Sequence, residues 1–143
     1  NYGAGKMDRV KKGYRASLWT VGIWGLFITF LFVCFPEPIS RVFFHEPLAI
    51  ATSVGYMIII GFSEAFMSVE LMTVGALSGL GKTHLCSVIS ITLTSARIPL
   101  AILLSGTTLG LLGIWWALSA TSIVKGVVFV VVFYLVVRNM KTM

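Results

Sequence analysis

Residues 109–137 read LGLLGIWWALSATSIVKGVVFVVVFYLVV, and Lys125 is the one charge in the run. A hydrocarbon core about 30 Å thick is crossed by roughly 20 helical residues. Inside lipid, backbone N–H and C=O groups find no water, so a run of this length has to satisfy itself as a helix. Three further apolar runs occupy 17–35, 48–77 and 85–104. The spans at 48–77 and 109–137 exceed the minimum, which predicts tilt or projection beyond the lipid.

The segments between them are short. Residues 1–16 form a basic leading segment, 36–47 a connector, 78–84 a glycine-rich turn, 105–108 an uncharged turn and 138–143 a tail. The reading is an all-α polytopic membrane protein with four transmembrane helices. Composition agrees. The chain is 57% hydrophobic and 11% charged over 143 residues, whereas soluble domains run near about 25% charged. A soluble bundle with so few charges could not cover its own surface.

Charge placement gives orientation. Lys6, Arg9, Lys11, Lys12 and Arg15 stand against Asp8 in the leading segment; Lys82 lies in the glycine-rich turn, and Arg138 and Lys141 lie in the tail. The other side carries Arg41 beside Glu37 and Glu46. The positive-inside bias therefore predicts that both ends and the 78–84 turn are cytoplasmic. The net charge of +6 is explained by this distribution, so a nucleic-acid partner is not expected. The lipid bilayer is.

The turn GALSGLGKTH, 75–84, superficially resembles a phosphate-binding loop. The glycine required before Lys-Thr is displaced by one residue, and no strand precedes it. It reads instead as a helix–helix link in which Gly79 and Gly81 take positive φ. Gly75 and Gly79 also offer a small-xxx-small face for a neighbouring helix. In the connector PEPISRVFFHEP, Ile39, Val42 and Phe43 recur at helical spacing, with Glu37 and Arg41 four apart. This predicts a short anchoring helix along the outer interface. Cys34 and Cys86 read as small buried side chains without a disulfide. No leader precedes an apolar signal segment, and the first residue is Asn, so the chain reads as a piece of a longer one without a targeting peptide.

Four charges lie within the apolar runs: Glu64, Glu70, Arg97 and Lys125. An ionised group at the bilayer centre costs at least about 2.5–3.5 kcal/mol, so such groups pair, face a wet cavity or change protonation. Counting about 1.5 Å per residue from the nearest cytoplasmic end places Glu70 about 13 Å deep, Glu64 about 22 Å, and Arg97 and Lys125 each about 19 Å. Glu64 and Glu70, six apart on one helix, differ by about 120° in azimuth. One is expected to face a cavity while the other pairs with Arg97 or Lys125, the choice of partner remaining open. Ser68 and Thr73 favour Glu70 for the polar interior. Pro99, two residues past Arg97, frees a carbonyl beside a charge, a common mark of a binding or hinge region. A static ion-pair network is the competing reading. If a carboxylate handles ions, Glu70→Gln should abolish coupled export in a protein that still inserts and folds.

Catalysis is not expected. No Ser-His-Asp set can converge, His45 lacks a second metal-binding partner, and His45 and His84 fall on opposite membrane faces. No metal and no cofactor are predicted.

The opening Asn1-Tyr-Gly-Ala-Gly-Lys-Met-Asp-Arg9 with Gly13-Tyr14-Arg15 resembles the NxGAg…R segment of the multidrug and toxic compound extrusion (MATE) family. GALSGLGKT, Arg97-Ile-Pro-Leu-Ala101 and Gly110-Leu-Leu-Gly-Ile-Trp-Trp116 resemble, in order, later parts of such transporters' second lobe. The resemblance implies the last four helices of a MATE-like twelve-helix transporter, with the N-terminal lobe of the same chain as their partner. It implies an antiporter exporting small organic cations or amphiphilic drugs while protons or sodium ions enter, the lobes rocking around a central cavity. Glu70 and Glu64 are then candidates for ion coupling or cation binding, with Arg97 and Lys125 as charge partners. Met67, Phe66 and Thr73 are candidate pocket residues, in a set where Met57, Phe62 and Met72 offer further adaptable surface. A flippase for lipid-linked saccharides, from the same superfamily, is the alternative. It would favour many bases in the cavity, whereas here two acids face two bases. A membrane scaffold is a third reading, one that has no use for buried charge.

Overall fold

The computed structural model describes residues 1–140. It is built of helices: α1 (Met7–Cys34), α2 (Pro36–Phe43), α3 (Pro47–Gly79), α4 (Thr83–Ser105) and α5 (Leu111–Asn139). All but α2 are long and apolar enough to cross a membrane. α1 begins well before residue 17, so much of the basic leading segment is helical and carries the first span out of the hydrocarbon. Lys141, counted above with the basic tail, lies outside the described residues.

Helix α3 is the spine. It packs on α1 along one side and on α5 along another, and α4 leans chiefly on α5. Tyr14, Leu77, Leu80, Cys86, Phe129, Phe133 and Val137 form a buried cluster. That cluster brings the start of α1, the 78–84 turn and the end of α5 to the same end of the bundle. Tyr14 stacks on Phe133 with centroids 3.5 Å apart and shares a hydrogen bond of 2.9 Å with Thr73 Oγ1. Large apolar residues elsewhere, such as Trp19, Trp24 and Phe27 on α1 and Ile98 and Ile102 on α4, stay exposed. With acyl chains as solvent, such exposure carries no hydrophobic penalty.

The 78–84 turn closes α3 with a paired hydrogen-bond pattern: Lys82 N–H donates to Leu77 O at 3.0 Å and Gly81 N–H to Ser78 O at 2.9 Å. This Schellman arrangement needs one left-handed residue, and Gly81 supplies it at φ +74. Gly79 remains the last helical residue, so the expectation of positive φ there does not hold; one such residue suffices to reverse the chain. The small-xxx-small face at Gly75 and Gly79 meets no helix among the described residues, where a Cβ at either would find nothing within 4 Å. Close packing falls on other glycines. A Cβ on Gly25 would reach 2.6 Å from Ala65 Cα, and one on Gly126 2.7 Å from Phe66 O. Gly126→Ala should therefore cost about 1–3 kcal/mol by wedging α5 off α3. Gly75→Ala should be neutral or gain up to about 1 kcal/mol from helix propensity. Thermal unfolding of the full-length protein in mild detergent checks the contrast.

The connector forms helix α2, seated on α3 by Ser40, which donates to Ser53 Oγ at 3.0 Å, while the exposed Arg41 and Glu37 pair at 2.5 Å. Pro99 lies inside an unbroken α4, so the helix is not interrupted beside Arg97. Of the cysteines, Cys86 is buried but Cys34 is exposed at the end of α1, contrary to its reading as a buried side chain.

Candidate functional site

Counting along helices fixes depth but not which side chains meet. The bundle brings Glu64, Glu70, Arg97 and Lys125 to one cleft of about 300 Å³ between α3, α4 and α5, walled by Tyr56, Ile60, Met67, Leu71 and Leu118. Lys125 is 8% exposed. Its ammonium lies 2.7 Å from Glu70 Oε1 and donates to Thr94 Oγ1 at 3.2 Å. One nitrogen thereby ties three helices together. The depth count had separated this acid and base by about 6 Å. Helix tilt and the long lysine stem, which carries its charge away from its own backbone, close that gap.

Arg97 reaches across from α4 to α5. Its Nε donates to Thr121 Oγ1 at 2.8 Å and its Nη2 to Ser122 Oγ at 3.1 Å. Thr121 is held in turn, donating to backbone oxygens of its own helix. Glu64 has no hydrogen bond and no ion pair among the described residues. The two acids therefore differ. Glu70 is neutralised by Lys125, and Glu64 has no such counter-charge among the described residues. The sequence had favoured Glu70 for the open polar interior with its partner undecided between Arg97 and Lys125; the geometry selects Lys125 and leaves Glu64 as the open carboxylate.

Of the expected pocket residues, Met67 lines the cleft. Phe66 packs its backbone and Cβ against Gly126 of α5. Thr73 is buried against Tyr14 of α1, on another side of α3. The hydroxyl residues that hold the two bases, Thr94, Thr121 and Ser122, had not been singled out. Their signal was available: Thr94 precedes Arg97 by three, and Thr121 and Ser122 precede Lys125 by four and three, which are same-face spacings in otherwise apolar helices. A larger recess of about 400 Å³ near Tyr2, Arg9 and Tyr14 has no carboxylate among the described residues of its wall.

Comparison with known proteins agrees with this architecture. A curated relative, the "Probable multidrug resistance protein NorM" of Thermotoga maritima, is 36% identical over 121 residues, covering 81% of this chain and 25% of that protein. The chain thus spans about a quarter of that relative's length. The MatE family pattern matches residues 1–103, from the leading Asn-Tyr-Gly-Ala-Gly segment through the turn and most of α4. This multi-pass membrane chain belongs to the MatE family.

Proposed function

We propose that the chain forms part of the second lobe of a secondary active exporter, which moves organic cations or amphiphilic drugs outward while protons or sodium ions enter. The observation that carries this reading is the cleft: an apolar-walled recess at mid-span in which Glu64 is an uncommitted acid beside an ion pair. A half-buried carboxylate with no partner among the described residues is stabilised by a proton, a metal cation or an organic ammonium, and exchange among these is what an antiporter needs. Glu64 and Glu70 are the coupling candidates, with Lys125 and Arg97 as charge partners. The name of the Thermotoga maritima relative supports the substrate class. A lipid-linked saccharide flippase fits less well, because two acids balance the two bases in the cleft.

In this reading the end holding the basic leading segment, Lys82 and Arg138 faces the cytoplasm. An N-terminal lobe of the same polypeptide supplies the opposite wall of the cavity. The two lobes rock about the cleft by alternating access. The test is uptake of a fluorescent organic cation into everted vesicles carrying the full-length protein, without ATP. Accumulation is expected when a proton or a sodium gradient, high inside, is imposed. Equal dye levels with and without either gradient would contradict the proposal.

A further inference from the structure

At the basic end of the bundle, outside the cleft, α4 and α5 leave a recess of about 520 Å³ between them. The first turn of α4 supplies Lys82, His84 and Leu85 to its wall, and the last turn of α5 supplies Val136, Asn139 and Met140. No carboxylate stands among the described residues of that wall. Met140 also borders a neighbouring recess, which holds Lys6 and Arg9 against Asp8. The local field is therefore positive on both sides of Met140. The turn fixes the height of Lys82, whose backbone N–H donates to Leu77 O at 3.0 Å. Neither the Lys82 ammonium nor the His84 ring has an ionic or hydrogen-bonding partner among the described residues.

The same face of α4 turns apolar as it enters the hydrocarbon. His84, Val88, Ile91, Ile98 and Ile102 fall within about 80° of one another around the helix, with Ser95 the one polar residue between them. All five are exposed. Val88 and Ile91 lie within about 11 Å of the level of His84. That depth is inside one leaflet's half of a core about 30 Å thick. A cationic mouth at the headgroup layer thus opens onto an oily track.

Charge complementarity selects what covers it. A second copy of the chain would bring the same bases to the same level and be repelled. Membrane-flanking segments on this side of a bilayer are biased toward positive charge as well. A zwitterionic headgroup would set its ammonium beside Lys82, with no acid in the described wall to receive it. An anionic diacyl lipid meets both requirements, because its phosphodiester suits the bases and its chains suit the track. We propose that this recess seats an anionic phospholipid, with Lys82 and His84 donating to phosphodiester oxygens and an acyl chain lying along Val88 and Ile91. Basic pockets between helices at the headgroup layer hold such lipids by this combination. Histidine serves in either charge state, since the neutral ring keeps one N–H donor. The site needs only the four spans and is independent of the exporter reading.

The test reconstitutes the full-length protein in phosphatidylcholine vesicles with a trace of photoactivatable lipid, its diazirine partway along one acyl chain. Two probes with identical chains are compared, one phosphatidylglycerol and one phosphatidylcholine. Peptide mass spectrometry reads the label at Val88 and Ile91. The charge of Lys82 and a charge-assisted hydrogen bond from His84 are each worth about fivefold in affinity. The phosphatidylglycerol label should therefore exceed the phosphatidylcholine label roughly 25-fold. Lys82→Gln or His84→Gln alone should lower that ratio about fivefold, and the double variant should bring it near one. Arg138→Gln, at the same end but outside the wall, should leave it unchanged. Soluble glycerol phosphate in excess should not compete. A wild-type ratio near one, or no label at either residue, overturns the proposal. An equal fall in Arg138→Gln also overturns it, by showing diffuse surface charge, as does full competition by glycerol phosphate, which marks a site for free phosphate esters.

Discussion

Replacing Lys125 with methionine should destabilise the full-length protein by about 3–5 kcal/mol, the range for removing one partner of a buried ion pair. The pair is well enclosed: the side chains of Lys125 and Glu70 are 11% and 12% exposed, with 2.7 Å between charged atoms. Methionine keeps the volume and flexibility of the lysine stem, so the packing of α5 changes little and the loss isolates the charge. What remains is a carboxylate stranded among apolar walls. Glu70→Gln produces the mirror defect by stranding the ammonium, which keeps only its bond to Thr94. The sequence-based expectation that Glu70→Gln would leave folding undisturbed is therefore revised. The double replacement, Glu70→Gln with Lys125→Met, leaves neither charge exposed to hydrocarbon and should return to within about 1 kcal/mol of the wild type. Thermal unfolding in mild detergent, followed by tryptophan fluorescence, gives the full cycle. If the double variant lost as much as the two single variants combined, the ion pair would have no energetic identity as a pair.

That cycle also marks where sequence reasoning stopped. The four spans were legible because hydrocarbon leaves the backbone so few options, and length with hydropathy then specifies the helices. The membership of the cleft was partly legible too, since charges inside apolar runs are expensive enough to demand an explanation. Pairing was not. Glu64 and Glu70 differ by about 120° around α3, but nothing local says which of α1, α4 or α5 occupies each direction. Thr73 illustrates the consequence: one turn from Glu70 in sequence, it faces Tyr14 on α1 instead of the cleft. Glycines behaved the same way. Gly81 could be read from turn chemistry, whereas the close approaches at Gly25, Gly61 and Gly126 depend on where helices cross. The crossing point is a property of two surfaces, and one strand of sequence shows them only separately.

Glu64→Gln in the full-length protein should reduce gradient-driven uptake of an organic cation to the level of vesicles without a gradient. Glutamine matches the size of the carboxylate and its hydrogen-bonding reach, but it neither binds a proton in this range nor attracts a cation. Because Glu64 has no partner to strand among the described residues, the same substitution should change stability by less than about 1 kcal/mol. Transport and folding are thus separable at this position, as they are not at Glu70. An ion that used Glu70 would first have to displace Lys125 from 2.7 Å, at a cost comparable to breaking the pair. An ion that used Glu64 would displace nothing within the described residues. The double variant of Glu70 and Lys125 decides between these routes, since it preserves Glu64 while removing the pair altogether. It should keep coupled uptake within a factor of a few of the wild type. A double variant that folds normally but no longer responds to either gradient, alongside an active Glu64→Gln, would move the coupling to Glu70 and make Lys125 its displaceable internal cation.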